Sequence, residues 1–401
     1  MTREGDTAPS FRHPAARMSH PERPLYLDHN ATTPIDPEVV DAMLPYLREE
    51  FGNPSSGHPY GRRARAALEE ARAKVAALIG AKPGDILFTS GGTEANNLAI
   101  RGTTEARAER RHVVTSVIEH PATKLPCDTL EWRGWEVTWL PVDPDGRVRV
   151  EDAARALDAA GEDTALVTLM HANNETGVLQ PVAEVAALAH RHGATVHTDA
   201  AQSVGKVPVD VEALGVDLLT LVGHKLRAPK GVGALYVRPG TPLRPFVLGG
   251  GQERGLRPGT ENVPYAVALG TACERARARL ERGTASLVAL RERLWERLRA
   301  EVPGLALNGH PTERLPNTLN VRFPGVRGSE VLAAAPEVAA STGSACHEGG
   351  ESASPVLRAM GLPEAEALGA VRLSLGPDTT EAEVDRAAEA LVRAWRRVAG
   401  R

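Results

Sequence analysis

The sequence predicts an α/β fold in which a mostly parallel central sheet carries helices on both faces, followed by a smaller C-terminal α/β domain. Three observations point there. From Asp85 onward, short apolar runs alternate with helical patterns, the order that builds βαβ units and a buried parallel sheet. Polar motifs repeatedly follow those runs, as they do where a sheet presents its strand ends to a ligand. After Pro264 the pattern changes to one long Ala/Leu/Arg helix and a few short strands, which read as a second unit.

Residues 1–24 mix Pro, His, Arg and acidic residues without apolar periodicity and are expected to form a disordered tail. Glu4 and Asp6 argue against a basic targeting peptide there. The large domain is expected over 25–264 and the small one over 265–401. A chain of 401 residues supports two units, since single cores stop growing at roughly 250–300 residues. Strand patterns run from Ile86 to Thr89, Val113 to Val117, Ala165 to Met170, Ala194 to His197, Asp217 to Val222 and Gly233 to Val237. Behind them come Ser90 to Thr93, Glu119-His120, His171 to Gly177, Asp199 to Gln202 and Gly223 to Lys225, so five polar clusters reach one sheet edge. In the second unit a helix is predicted from Pro264 to about Ala300, strands over Thr318–Phe323, Glu337–Ala340 and Arg372–Leu375, and a helix over Ser329–Ala334. Thr380 with Glu383 three residues on is a capping-box signature for a terminal helix.

The formal net charge of −4 offers no basic excess for a phosphate backbone or an anionic membrane, so neither nucleic acid nor membrane is an expected partner. No apolar run approaches the roughly 20 residues of a spanning helix, and the N-terminus lacks the apolar core of a secretory signal. A cytoplasmic location is expected. The three cysteines, Cys127, Cys273 and Cys346, are far apart and odd in number, with no metal spacing; they read as single thiols.

Asp199 and Lys225 end neighbouring strand patterns one strand-helix-strand step apart, so both can face one crevice. An aldehyde cofactor needs a lysine amine for its imine and a carboxylate that keeps its pyridine nitrogen protonated; this pair supplies both. Each residue also has an ordinary reading. His197 with Asp199 is half a metal site, but no third ligand stands at suitable spacing, and no metal is expected. An Asp at a strand end is often a helix cap, and a lone Lys is often a solvated charge. Ser90-Gly91-Gly92-Thr93-Glu94 opens a helical stretch, and its glycines let backbone N–H groups approach a phosphate. No GK[ST] follows it, so it is not a nucleotide P-loop.

Taken together, Tyr26-Leu27-Asp28 with Asn30 to Pro34, SGGTEANN at 90–97, EHPA at 119–122, NNETG at 173–177, HTDAAQ at 197–202, GHK at 223–225 and GGGQER at 249–254 resemble the cysteine desulfurases of the class V aminotransferase group. Arg257 to Asn262, Thr342 to Cys346 and Arg372 to Gly376 extend the resemblance over about residues 25–395. It implies the fold type I of pyridoxal-phosphate-dependent transferases, with pyridoxal 5'-phosphate held as a Schiff base by Lys225. It also implies that Asp199 pairs with the pyridine nitrogen, Gln202 and Asn174 contact the ring hydroxyl, and His120 stacks on the ring and helps in proton transfer. Gly92, Thr93 and His224 resemble phosphate ligands, and Thr260 resembles a residue that reaches the phosphate of a partner subunit, which implies a homodimer. Arg372 resembles the arginine that grips the substrate carboxylate, a bidentate task suited to guanidinium; its ordinary reading is a surface salt bridge.

Cys346 lies in a Ser/Gly-rich stretch, Ser341 to Gly350, expected to be a mobile loop, and His347 beside it favours the thiolate. The resemblance makes it the thiol that takes sulfur from L-cysteine as a persulfide, leaving L-alanine, for delivery to a sulfur-acceptor protein. Iron–sulfur cluster assembly and tRNA thiolation both remain open as destinations. Cys127 and Cys273 sit in helical patterns and are expected to be structural. Two departures stand out. Val222 replaces a serine that gives many relatives a phosphate donor, and Arg227-Ala228 replaces an aromatic-glycine pair. Losing one hydroxyl contact weakens phosphate binding by roughly 1 kcal/mol or more. Val222 to Lys225, Arg257 to Asn262 and Ala345 to His347 also resemble the selenocysteine lyase branch, so L-selenocysteine is an alternative substrate. A non-catalytic sulfur-carrier scaffold is the alternative from another class.

Overall fold

The computed structural model describes residues 23–343 and 352–400. The expected tail, up to residue 22, and Cys346 lie outside them. The chain opens with β1 (Leu25–Tyr26), α1 (Pro37–Arg48) and α2 (Pro59–Leu78). Then β2 (Ile86–Thr89), α3 (Gly92–Ala106), β3 (His112–Ser116), α4 (Pro121–Trp132), β4 (Glu136–Leu140), α5 (Val150–Ala160) and β5 (Thr164–Thr168) alternate strictly. The alternation continues through α6 (Val182–Arg191), β6 (Thr195–Asp199), α7 (Val211–Leu214) and β7 (Leu218–Val222), and β8 (Gly233–Val237) closes the sheet.

Its seven strands run in the order β2-β8-β7-β6-β5-β3-β4. The pairings from β4 across to β7 are parallel, and β8 is antiparallel to both its neighbours. Parallel strands need a crossover, and the predicted helices supply one after each strand. The short loop between β7 and β8 leaves no room for a crossover, which is why β8 runs back. The burial follows: β2, β3, β5, β6, β7 and β8 are buried at every residue, because helices cover both faces. The main core joins these strands to α1, α2, α6 and the helix after β8 through side chains such as Val39, Val75, Ile86, Val196, Leu219 and Leu269.

The second part comprises α8 (Val263–Glu281), α9 (Ala285–Glu301), β9 (Ala306–Leu307), β10 (Thr318–Arg322), α10 (Gly328–Ala334) and β11 (Val338–Ala339). It continues through α11 (Pro355–Ala359), α12 (Glu364–Ala367), β12 (Ala370–Ser374) and α13 (Glu381–Val398). Its antiparallel sheet has the order β12-β10-β9. Leu25 and Leu27 pack in this second core with Leu294, Leu298, Val321, Leu373 and Trp395, and β1 pairs with β11. The predicted capping box on α13 is formed, Thr380 and Glu383 each accepting from the other's backbone N–H.

The single helix expected from Pro264 to Ala300 is two. Gly283 takes φ +87°, a left-handed conformation natural to glycine, and ends α8 before Thr284 precedes α9. β4 carries no strand signal in the apolar pattern, because at this sheet edge it is buried only at Leu140.

Candidate active site

The strand order places the polar clusters side by side. Asp199 is the last residue of β6 and pairs in register with Thr220 of β7; Lys225 follows β7 in a tight 3-10 turn. Asp199 is 8 % exposed and its carboxylate is pinned: Asn96 Nδ2 donates to Oδ2 at 2.8 Å and the Ala201 N–H to Oδ1 at 3.0 Å. Asn96 lies on α3, one turn after Gly92 and Thr93, so one helix face serves two ends of a ligand. Lys225 Nζ donates to the Asn30 carbonyl at 2.7 Å. Burial lowers its pKa to about 8 and Arg372 adds to this, while Asp199 and Asp28 oppose it. An amine that ionises so near neutrality is available as nucleophile and as base.

At the end of β2 the backbone enters α3 through Gly91, whose φ of +148° suits glycine, and no side chain caps the helix. The free N–H groups of this first turn carry the positive end of the helix dipole. They line a cleft of about 490 Å³ with Thr32, Val222, His224 and Lys230. A Cβ on Gly92 would lie 2.7 Å from Val222 Cγ2, so the valine at this departure packs against the cradle itself. His224 Nδ1 meets Thr32 Oγ1 at 3.2 Å. Burial lowers its pKa to about 4, with Lys225 and Lys230 adding, so the His224 ring is neutral at pH 7 and has an N–H to offer as a hydrogen-bond donor.

His120 follows β3 and caps α4, its Nδ1 accepting from the Ala122 N–H at 3.1 Å. That contact leaves the proton of the neutral ring on Nε2. Although the residue keeps open surface, packing around the imidazole lowers its pKa; Asp199 opposes this and Lys225 adds to it. Gln202 is buried, with Nε2 donating to the Asn30 carbonyl at 2.9 Å and Oε1 accepting from Lys206 at 2.8 Å. Asn174 uses its backbone carbonyl to accept from Arg372 Nη1 at 3.0 Å. Its side chain makes no hydrogen bond among the described residues.

Arg372 is buried on β12, only 5 % exposed, and pairs with Asp28 at 2.8 Å through Nη2. Its Nε has no partner among the described residues, a buried donor in want of an acceptor. The surface salt bridge of the ordinary reading is therefore replaced by a buried guanidinium with spare capacity. His197 gives its ring nitrogens to Thr168 and Thr220, at 2.8 and 3.1 Å. Thr260 is exposed in this chain. Cys127 and Cys273 are fully buried, and burial pushes both thiols up, Cys273 to about 12. The sequence reading gave no role to Asn30, Asn96 or Lys206, which hold Lys225, Asp199 and Gln202 in place. The helical spacing from Thr93 was the one signal open to it, and that pointed to Asn96.

The aminotransferase class-V family matches residues 25–387, and the chain belongs to that family. Within it the similarity is to cysteine desulfurases: cysteine desulfurase 2 of Trichormus variabilis is 48% identical over 364 residues, 90% of either chain. A solved NifS-like protein is 38% identical with a TM-score of 0.86, covering 92% of this chain and 98% of its own. SspA, solved in complex with cysteine, is 37% identical with a TM-score of 0.77, covering 88% and 99%. The cofactor of the family is pyridoxal phosphate. This site fits it: an uncapped helix N-terminus for the phosphate, a pinned carboxylate for the ring nitrogen, and a low-pKa lysine for the aldehyde.

Proposed function

We propose that this chain is a cysteine desulfurase in which Lys225, Asp199, Arg372 and Cys346 divide the work of converting L-cysteine to L-alanine. The observation that carries the reading is the convergence of the Lys225 amine and the pinned Asp199 carboxylate beside the open end of α3. Pyridoxal phosphate, when bound, supplies an aldehyde for amines and a ring that takes up electron density from the substrate Cα. Gly92 and Thr93 N–H groups, His224 and, in a dimer, the threonine at position 260 of the other chain would hold its phosphate. Asp199 would pair with its ring nitrogen, Gln202 and Asn174 would contact its ring hydroxyl, and His120 would pack against the ring.

Arg372 binds the substrate carboxylate through its unpaired Nε and the edge it now shares with Asp28. Lys225 takes the Cα proton. The Cys346 thiolate then forms an S–S bond as the substrate Cβ–S bond breaks. The electron pair of that bond stays with carbon, which takes up a proton and leaves as alanine, and Cys346 keeps the sulfur as a persulfide for an acceptor protein. The small C-terminal domain carries this thiol, the working unit is a homodimer, and the location is cytoplasmic. Among the described residues, no helix is long and apolar enough to cross a membrane.

The test is Cys346→Ser assayed with cysteine and selenocysteine side by side. Sulfur on carbon leaves poorly without a thiolate to attack it, whereas a selenol is more acidic and departs more readily. Alanine from cysteine is expected to fall by several orders of magnitude, and alanine from selenocysteine to persist. Parent-level cysteine turnover in this variant rules out the persulfide step. Borohydride reduction is expected to fix the cofactor on Lys225; a label on Lys206 or Lys230 overturns the assignment.

A further inference from the structure

Lys206 stands in the loop after β6, and no carboxylate pairs with it among the described residues. Its Nζ donates to Asn30 Oδ1 and to Gln202 Oε1, both at 2.8 Å. Gln202 returns to the same asparagine, Nε2 donating to the Asn30 carbonyl at 2.9 Å, and Lys225 donates to that carbonyl at 2.7 Å. The rest of Asn30 is taken up: Nδ2 donates to Thr318 Oγ1 at 2.8 Å and the Asn174 carbonyl at 3.3 Å, and Oδ1 accepts from Asn317 Nδ2 at 3.1 Å. Asn30 is 1 % exposed, so this junction has little freedom to rearrange.

A lysine amine has hydrogens for two oxygens whether or not it is charged, and a peptide carbonyl can only accept. Both ends of the Gln202 amide are thereby specified, Oε1 toward Lys206 and Nε2 toward Asn30. One Nε2 hydrogen remains for a ligand.

We propose that Lys206 is a positioning residue that locks Gln202 and Asn30 so that an amide donor meets the ring oxygen of the cofactor beside Lys225. The inference rests on the reading of Gln202 given under the proposed function. Burial, then Lys225 and Arg372, hold the Lys206 pKa well below the ordinary lysine value. An anionic ring oxygen would add negative charge near Lys206, with which no carboxylate pairs among the described residues. Without Lys206, Gln202 Oε1 is left buried without its donor, and the amide turns to find another.

The test is a double-mutant cycle on cofactor affinity. Apoprotein of the parent, Lys206→Met, Gln202→Leu and the double variant is titrated with pyridoxal phosphate and followed by absorbance. Each single change is expected to weaken binding about ten-fold, and the double change no more than the weaker single one, because one residue acts through the other. The midpoint pH of the bound cofactor's visible band is expected to rise by up to about one unit in Lys206→Met, from loss of a donor to the ring oxygen. Parent-like affinity in Lys206→Met, or a loss near a hundred-fold in the double variant, overturns the role of Lys206. Parent-like affinity in Gln202→Leu instead overturns the reading of Gln202 on which the inference stands. Should the Met chain not fold, Lys206→Gln replaces it in the same cycle with the same non-additivity expected.

Discussion

Glu119, one residue before His120, is fully enclosed: Ser116 Oγ and the Met170 N–H both donate to Oε1, at 2.6 and 3.0 Å, and Oε2 has no partner among the described residues. Burial pushes its pKa from 4.5 up to about 8; the two donors oppose this and Asp199 adds to it. The unfolded chain ionises this carboxyl at its ordinary value while the folded chain keeps the proton. Between these two values the folded state binds more protons, so stability falls as pH rises, and above the folded pKa the loss is constant. Glu119→Gln, which removes the titration, is expected to melt near the parent at about pH 5 and a few degrees above it at about pH 8.5. Thermal melts at both pH values check this, and a gap that does not widen with pH means the carboxyl is already ionised in the fold. Glu119 stood in a polar cluster that the sequence placed at the sheet edge, but its enclosure, like the partners that act through the fold, was hidden, and the reason is physical. Lys225 and Asp199 declare themselves by their own chemistry at strand ends, whereas Asn30, Asn96 and Lys206 matter only through contacts across the fold, such as Asn96 to Asp199, 103 residues apart.

Among the elements, α11 shows how a helix start is tied to the site. Ser354 caps it, its Oγ accepting from the Val356 and Leu357 N–H groups at 3.1 and 3.2 Å, and the same hydroxyl donates to Glu175 Oε2 at 2.5 Å. Glu175 sits beside Asn174, and burial raises its pKa to about 7, with Ser354 and Arg372 opposing. On the other side a Cβ added to Gly343 would lie 2.9 Å from the same Oε2. One carboxyl is therefore bonded to Ser354 and lies beside the backbone of Gly343, on the two sides of residues 344–351, the segment that contains Cys346. Ser354→Ala removes the cap and the donor together and is expected to cost roughly 1–3 kcal/mol, read from urea unfolding. A loss under a few tenths of a kcal/mol means that neither contact is held in solution. The elements themselves were largely legible, because buried parallel strands are apolar runs and the helices between them keep their period. β4 and the break at Gly283 were not: an edge strand lacks the apolar run, and a single glycine in a long Ala/Leu/Arg pattern changes the period too little to register.

For the whole molecule, the proposed dimer turns on whether the loop at Thr260 reaches a partner's site. Thr260 is exposed here, at the end of a loop held from behind by a buried pair: Arg72 grips both oxygens of Glu253 at 2.7 and 2.8 Å, and Arg257 pairs with Glu94 at 2.7 Å. Leu248, 84 % exposed, precedes this loop, and Phe51, 75 % exposed, lies between α1 and α2 and stacks on Tyr60. In the proposed two-fold dimer each loop would reach the other subunit's cofactor pocket. Lys225→Ala dimers are expected to be inactive and Thr260→Ala dimers to bind the cofactor weakly. In a heterodimer of the two variants, one site holds Lys225 from the Thr260→Ala chain and Thr260 from the other chain, and so is intact; its neighbour lacks both. Purified heterodimers are therefore expected to regain about half of the parent's turnover per dimer. Heterodimers that stay inactive, or a chain that sediments as a monomer, would remove Thr260 from the site and leave each phosphate to the α3 terminus, His224 and Lys230 of its own chain.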